Sequence, residues 1–339
     1  MKLAALVESR EAPQLELLRI GLGVALLASF IPLTPYLSEL YGDAGWISRD
    51  AFTTLSLDAG WYSVFAWCRG PAALPLLHAA FLTAALAFTA GWGVRWVKWP
   101  LWLLYASCLN RNPAIVYGVD LLIANLLLLV CIAPVGRWPA LGATNARWPS
   151  GPRAAVCLAL VRWQMAIVFF FTGAQKLRGE SWWSGEAVWV VINNAEFAHA
   201  PLAGWFAQHF WLVNITTHGA LLVELAYPFL IWGARTRPWI LGAAIVFHLG
   251  TAALFGLYLF AWVAIVGHLS FMPSGVIGWL AVRGSQFAVR SSRSASPLQR
   301  DEVRPSGGIG QRTGPFDGAS PGDYDFVCRQ RVSLDRRRR

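Results

Sequence analysis

The sequence predicts an all-α integral membrane protein of about eight transmembrane helices, with an amphipathic loop segment on the outer side. Three observations predict it. Of the 339 residues, 56% are hydrophobic and only 14% charged, whereas soluble domains carry about 25% charged residues. The apolar residues come in long runs, and a bilayer core of about 30 Å takes roughly 20 of them per helix. There are also 19 tryptophans, a residue that favours the membrane–water interface.

In chain order the runs are approximately Leu15–Leu33, Ala72–Val94, Trp96–Leu109, Val119–Val135, Ala154–Ala174, Trp211–Trp232, Pro238–Phe255 and Leu257–Phe271. The third and eighth are short, and residues 275–282 can extend the last. Glu8, Glu11 and Glu16 precede or open the first run, and no small-residue cleavage site closes it. It reads as a first anchor, not as a signal peptide.

The connections between runs set the orientation. Arg95 and Lys98 follow the second run, Arg137, Arg147 and Arg153 the fourth, and Arg235 and Arg237 the sixth. These are alternate connections, so the positive-inside rule puts them in the cytoplasm, together with both termini of a multi-pass cell-membrane protein. The opposite connections carry Glu39, Asp43, Asp50 and Asp58, then Glu180, Glu186 and Glu196. Residues 1–284 form the expected membrane domain. Residues 285–339 form a basic tail, rich in Ser, Gly, Pro and Arg, with too little apolar surface to offset the entropy of ordering; disorder is expected there. From Val282 onward twelve arginines meet six acids, so much of the net charge of +10 lies in this tail. Its closing Arg336–Arg339 run suits anionic lipid, and nucleic acid is not an expected partner. The five cysteines have no CxxC or metal-ligand spacing, and a Cys68–Cys108 disulfide is left open.

Ionisable groups inside apolar runs are costly and mark functional candidates. Arg162, Glu224, His248 and His268 are such groups. Arg162, near the cytoplasmic side, reads as a snorkelling anchor. For the others the plainer role is a helix–helix hydrogen bond of about 0.6 kcal/mol. Thr217 and Glu224 are seven residues apart and share a helix face. The stretch "FFFTGAQKLRGESWWSGE" (169–186) runs straight into Lys176, one of three lysines among 28 basic residues. Lys176 falls on the outer side, against the charge rule. A desolvated amine can act as a base, which arginine cannot. Trp182, Trp183 and Trp189 follow in a segment that reads as an amphipathic cap. Asn110-Arg111-Asn112-Pro113 forms a polar kink at the outer end of the third run. Its cation and two amides suit either an anionic ligand group or the hydrogen bonds of a helix end. No phosphate-loop, zinc-protease or nucleophile-elbow pattern occurs.

Four stretches carry a resemblance: "LYGDAGWISRD" (40–50), "LNRNPAIVYGVD" (109–120), "FFFTGAQKLRGESWWSGEAV" (169–188), and the run from "LLVELAYP" through "FHLGTAALFG" to "SFMPSG" (221–275). Over roughly residues 12–275 the chain resembles the HTTM (horizontally transferred transmembrane) domain family, related to the membrane domain of vitamin K-dependent gamma-carboxylase. The resemblance implies a base-driven, quinone-linked membrane enzyme with an outward-facing pocket. Lys176 then takes the place of the base that deprotonates a hydroquinone. His248 hydrogen-bonds the quinone oxygen, Glu224 orients, and Asn110, Arg111, Asn112, Trp182 and Trp183 surround the substrate. The chain departs from the carboxylases in two ways. A family histidine is missing from the Asn110–Asn112 turn, and the short tail stands where carboxylases carry a lumenal substrate domain, so carboxylation of a protein is not expected. The family also includes a bacterial protein that matures a secreted peptide toxin. The alternative reading is therefore a non-catalytic membrane factor for secreted-peptide maturation, export or immunity. A transporter using Glu224 and His248 as a proton relay is the third.

Overall fold

The structure, a computed structural model, describes residues 11–277 apart from 61, 68, 71, 137–147, 195–196 and 198–201. The expected tail, with Arg137, Arg147, Glu196 and Cys68, lies outside the described residues. Among the described residues there is no strand. The helices are α1 (Pro13–Phe30), α2 (Leu37–Tyr41), α3 (Arg49–Ala59), α4 (Ala73–Ala90), α5 (Val94–Arg111), α6 (Gly118–Ile132), α7 (Pro152–Lys176), α8 (Glu180–Trp183), α9 (Ala187–Ile192), α10 (Ala203–Ala207), α11 (Phe210–Leu230), α12 (Arg237–Phe255) and α13 (Tyr258–His268).

Each of the eight expected runs overlaps chiefly one α-helix, from 11 residues in α13 to 25 in α7. Four of these, α1, α4, α7 and α12, are long and apolar enough to cross a membrane, and α6 and α13 are shorter apolar helices. The third run is longer than its hydropathy suggests. Its helix, α5, starts at Val94 and ends at Arg111, taking in Arg95, Lys98 and Arg111 as helical residues. Hydropathy undercounts α5 because its charged residues, Arg95, Lys98 and Arg111, sit near its two ends.

Local chemistry sets several boundaries. Pro13 and Pro152 stand at the first turns of α1 and α7, where a missing N–H costs nothing. Ser48 caps α3 by accepting from the Ala51 amide at 3.2 Å. The turn from α4 to α5 passes through Gly91 and Gly93 at φ +82° and +58°, a left-handed region that side chains with a Cβ resist.

α1 is the most buried of the candidate spans, and it packs against α4, α6 and α13. Two glycines permit its close approaches. A Cβ at Gly21 would collide with Val266 of α13, and one at Gly23 with Thr89 of α4. Small residues at such crossings are how helices pack tightly where lipid offers no hydrophobic drive. Buried at 0% exposure in α1 lies an ion pair absent from the expected set, Arg19 Nε to Glu16 Oε2 at 2.7 Å. Arg19 Nη1 also donates to the Phe88 carbonyl and, at 2.9 Å, to the Thr89 carbonyl. Glu16 Oε1 accepts from the Gly136 amide at 2.8 Å. The pair thus ties α1 to the end of α4 and to the segment after α6.

The contacts sort the connections by side. Ala12 donates to the Pro149 carbonyl at 2.7 Å, and Gln14 to the Met272 carbonyl at 2.7 Å. Lys98 Nζ donates to the Ala133 carbonyl at 2.8 Å, and Arg153 to the Ile132 carbonyl at 2.7 Å. The start of α1, the α4–α5 turn, the start of α7 and the segment after α13 therefore gather at one end of the bundle, the basic end. Of the connections expected to share a side, the described parts of the second and fourth meet at this end.

Breaking the Arg19–Glu16 pair from one side leaves a buried charge, which typically costs about 3–5 kcal/mol. Arg19→Met is expected to lower the thermal midpoint of the detergent-extracted protein sharply. Adding Glu16→Gln should recover part of the loss in the same melting experiment.

Candidate functional site

α7 and α11 form one of the two most extensive helix pairs among the described residues, α1 and α4 being the other. The α7–α11 contact is a close one because Gly173 faces the α11 backbone. A Cβ there would sit 3.1 Å from Leu225 and 3.2 Å from the Glu224 Cβ. One turn further along α7, Lys176 reaches across. Its Nζ donates to Glu224 Oε1 at 2.8 Å and lies 2.7 Å from Oε2, so the ammonium sits astride the carboxylate. The Lys176 side chain is 23% exposed and that of Glu224 5%. The two residues singled out separately in the sequence, 48 positions apart, form one ion pair.

The pair is roofed. The Lys176 amine stands 5.1 Å over the Trp182 ring of α8, a cation–π contact. Trp183 donates from Nε1 to the Leu177 carbonyl at 2.8 Å and is itself exposed. The short helices α9 and α10 then pack against the first half of α11. The Val188 amide donates to Thr217 Oγ1 at 3.2 Å, and Val188, Ile192 and Ala203 cluster with Val213 of α11 and Leu254 of α12. Val188 and Ile192 are buried while Trp183, Trp189 and Val190 are exposed. These short helices lean on α11 and α12, with apolar residues on both their buried and their exposed sides.

α11 presents Thr217, Leu221, Glu224 and Tyr227 as one buried stripe, at the spacing of a single helix face. Thr217 and Glu224 share that face as expected. His218 lies off it, exposed, with Nδ1 3.0 Å from the Asn214 carbonyl. Tyr227, one turn deeper than Glu224, begins a polar chain across three helices. Its hydroxyl is 2.7 Å from His268 Nδ1 on α13, and His268 Nε2 is 3.0 Å from His248 Nε2 on α12. All three residues are at most 1% exposed. Phe169 of α7 packs against each of them, with ring centroids 4.2 to 5.7 Å away. His248 Nδ1 is buried and has no hydrogen-bond partner.

Tautomers follow from counting hydrogens. If the Tyr227 hydroxyl donates to His268 Nδ1, then His268 carries its hydrogen on Nε2 and donates to His248 Nε2. His248 then carries its hydrogen on Nδ1, an unused donor. The reverse order leaves both the Tyr227 hydroxyl hydrogen and the His248 Nδ1 lone pair unmet. The first arrangement leaves fewer orphan groups and is the favoured one.

The Asn110–Asn112 turn lies at the far end of α5. Asn110 Nδ2 donates to the Tyr62 carbonyl at 2.9 Å, and Asn112 Nδ2 to the Leu40 carbonyl at 2.8 Å. Arg111 donates to the carbonyls of Ile47 and Gly42 at 2.9 and 2.7 Å and stacks 5.3 Å over Phe52. These donors clamp the 40–62 segment, the helix-end role. Arg162 donates inward to the Ser270 carbonyl at 2.8 Å near the basic end, a tie between α7 and the segment after α13 and not the expected snorkelling anchor. Cys108, Cys131 and Cys157 are free and buried.

His268 stands in the sequence among the ionisable candidates, whereas Tyr227 does not, because a tyrosine in "VELAYPFL" reads as core. Its position three residues after Glu224 on one face was the available signal.

The family model of the HTTM domain matches residues 11–275 of this chain. No curated protein and no solved structure matches it significantly.

Tyr227→Phe would strip the first link of the polar chain and leave His268 Nδ1 buried without a partner, a loss of about 1–3 kcal/mol. The expected result is a lower thermal midpoint in detergent than for Phe229→Tyr on the exposed face of the same helix.

Proposed function

Because this chain belongs to the HTTM domain family, we propose that it is an eight-span membrane enzyme whose Lys176–Glu224 pair removes a proton from a lipophilic, quinol-like substrate. Both ends of the membrane domain face the cytoplasm, and the site lies under the cap of α8–α10 on the outer side. The carrying observation is the ion pair itself, roofed by Trp182.

The pair suits proton removal in a specific way. An ammonium and a carboxylate together carry no net charge. When the pair takes one proton from a hydroxyl, the end state is an ammonium, a carboxylic acid and a substrate anion. That end state is the same whether the amine or the carboxylate receives the proton first. The ammonium remaining beside the anion stabilises it, and in a water-poor site that attraction is stronger than in solution. Arg in place of Lys176 would preserve the charge and lose the ability to exchange a proton. Glu224 positions the amine by accepting from it at Oε1, and Gly173 keeps the two helices close enough for that reach. The unused Nδ1–H of His248 is a donor for a substrate oxygen. The hydroquinone assignment rests on the resemblance to the carboxylase membrane domain, in which a base at the position of Lys176 deprotonates such a substrate.

One observation favours the second reading, a non-catalytic factor for secreted-peptide maturation. The ion pair is closed, and a closed pair can serve simply to lock α7 to α11. The two readings separate on Lys176→Arg. Enzyme chemistry predicts loss of turnover of a quinol substrate, at least about a hundredfold, with thermal midpoint and helix content unchanged. A scaffold role predicts full function for Lys176→Arg in peptide maturation. Glu224→Gln is expected to impair both, turnover through loss of the acceptor and stability through the unpaired ammonium, read in parallel as rate and melting temperature.

A further inference from the structure

At the basic end, away from the Lys176 pair, a cleft of about 850 Å³ opens between the α4–α5 turn, the segment after α6 and the start of α7. Three cations line it: Arg95, Lys98 and Arg153. No acidic side chain is among its lining residues. Glu16, which accepts from the amide of the lining residue Gly136, is buried and paired with Arg19. Each cation has donors to spare. Lys98 Nζ uses one hydrogen on the Ala133 carbonyl, Arg153 uses Nε on the Ile132 carbonyl, and the Arg95 guanidinium is stacked 5.2 Å over Trp96.

Two further features raise the local positive potential. α5 begins after Gly93 and α7 after Gly151, both without a side-chain cap, and both starts contribute to the lining. Uncapped first turns present free N–H groups and the positive end of the helix dipole. Lys98 is only 7% exposed, so one of the cations is held in a poorly hydrated place, where a counter-anion has most to offer. On the rim, Trp96 and Trp99 are exposed, as tryptophans at the headgroup level are.

We propose that this cleft binds the phosphate of an anionic membrane lipid headgroup. Guanidinium groups match phosphate geometry through paired N–H donors. Basic pockets between helices on the cytoplasmic side are the expected place for such headgroups. The rim tryptophans select a lipid over a free anion, because they offer apolar surface to the acyl chains next to the charged floor. The site is independent of the proton-transfer reading, since it shares no residue with it.

The test uses the full chain in a non-ionic detergent. Native mass spectrometry would compare retention of phosphatidylglycerol and phosphatidylcholine, with inorganic phosphate as competitor. Phosphatidylglycerol is expected to be retained in preference. The Arg95→Gln/Arg153→Gln double variant, both positions being exposed, should weaken that retention roughly ten- to thirtyfold. Arg178→Gln at the opposite end should leave it unchanged, and melting curves would confirm that both variants are folded. Equal retention of the two lipids, or retention indifferent to the double variant, overturns the proposal. Displacement of the lipid by millimolar inorganic phosphate overturns the lipid assignment in favour of a free anion.

Discussion

A charge buried among apolar helices has to be answered by a partner within reach of its side chain, and that requirement organises this molecule. It is met between Lys176 and Glu224, where the last turn of α7 finds a carboxylate in the body of α11. It is met again between Arg19 and Glu16, and at Lys98 by a carbonyl after α6. Each answer ties one helix to another segment. In a lipid setting, where burial of apolar surface does not by itself bring helices together, such ties fix which helices are neighbours.

The two ion pairs differ in what surrounds them. Arg19 and Glu16 are sealed, and the groups around them, three backbone carbonyl or amide partners on other segments, complete their hydrogen bonding. Replacing such a pair with apolar groups of similar shape is often harmless, whereas breaking it is not; its role is structural. Lys176 keeps part of its side chain exposed and its second neighbour is an aromatic face. The polar chain Tyr227–His268–His248, one turn deeper, ends in a ring nitrogen that the protein itself leaves unused.

The cap over this region explains how a short apolar stretch outside the spans is stabilised. Val188, Ile192 and Ala203 bury against the projecting ends of α11 and α12, so α11 serves the bundle with its second half and the cap with its first. That division also accounts for the polar residues Asn214, Thr216, Thr217 and His218 in its first half. They meet the backbone and side chains of the cap and of their own helix, where lipid contact would leave them unsatisfied.

Composition and periodicity were enough to read the helical class, the apolar segments that became helices, and Lys176 and Glu224 as residues out of place. Those are properties of single helices, each of which carries its own hydropathy, caps and charge. Partnership is not such a property. Nothing in the order of residues says that Lys176 meets Glu224, that His268 links His248 to Tyr227, or that Arg111 spends its donors on Gly42 and Ile47. A span of hydrophobic residues looks alike on all sides until a close contact, such as that of Gly173 with α11, chooses the face that turns inward. The pairing of helices therefore settles which polar groups become a site and which only hold a loop, because a hydrogen bond acts over about 3 Å and only packing brings distant segments that near.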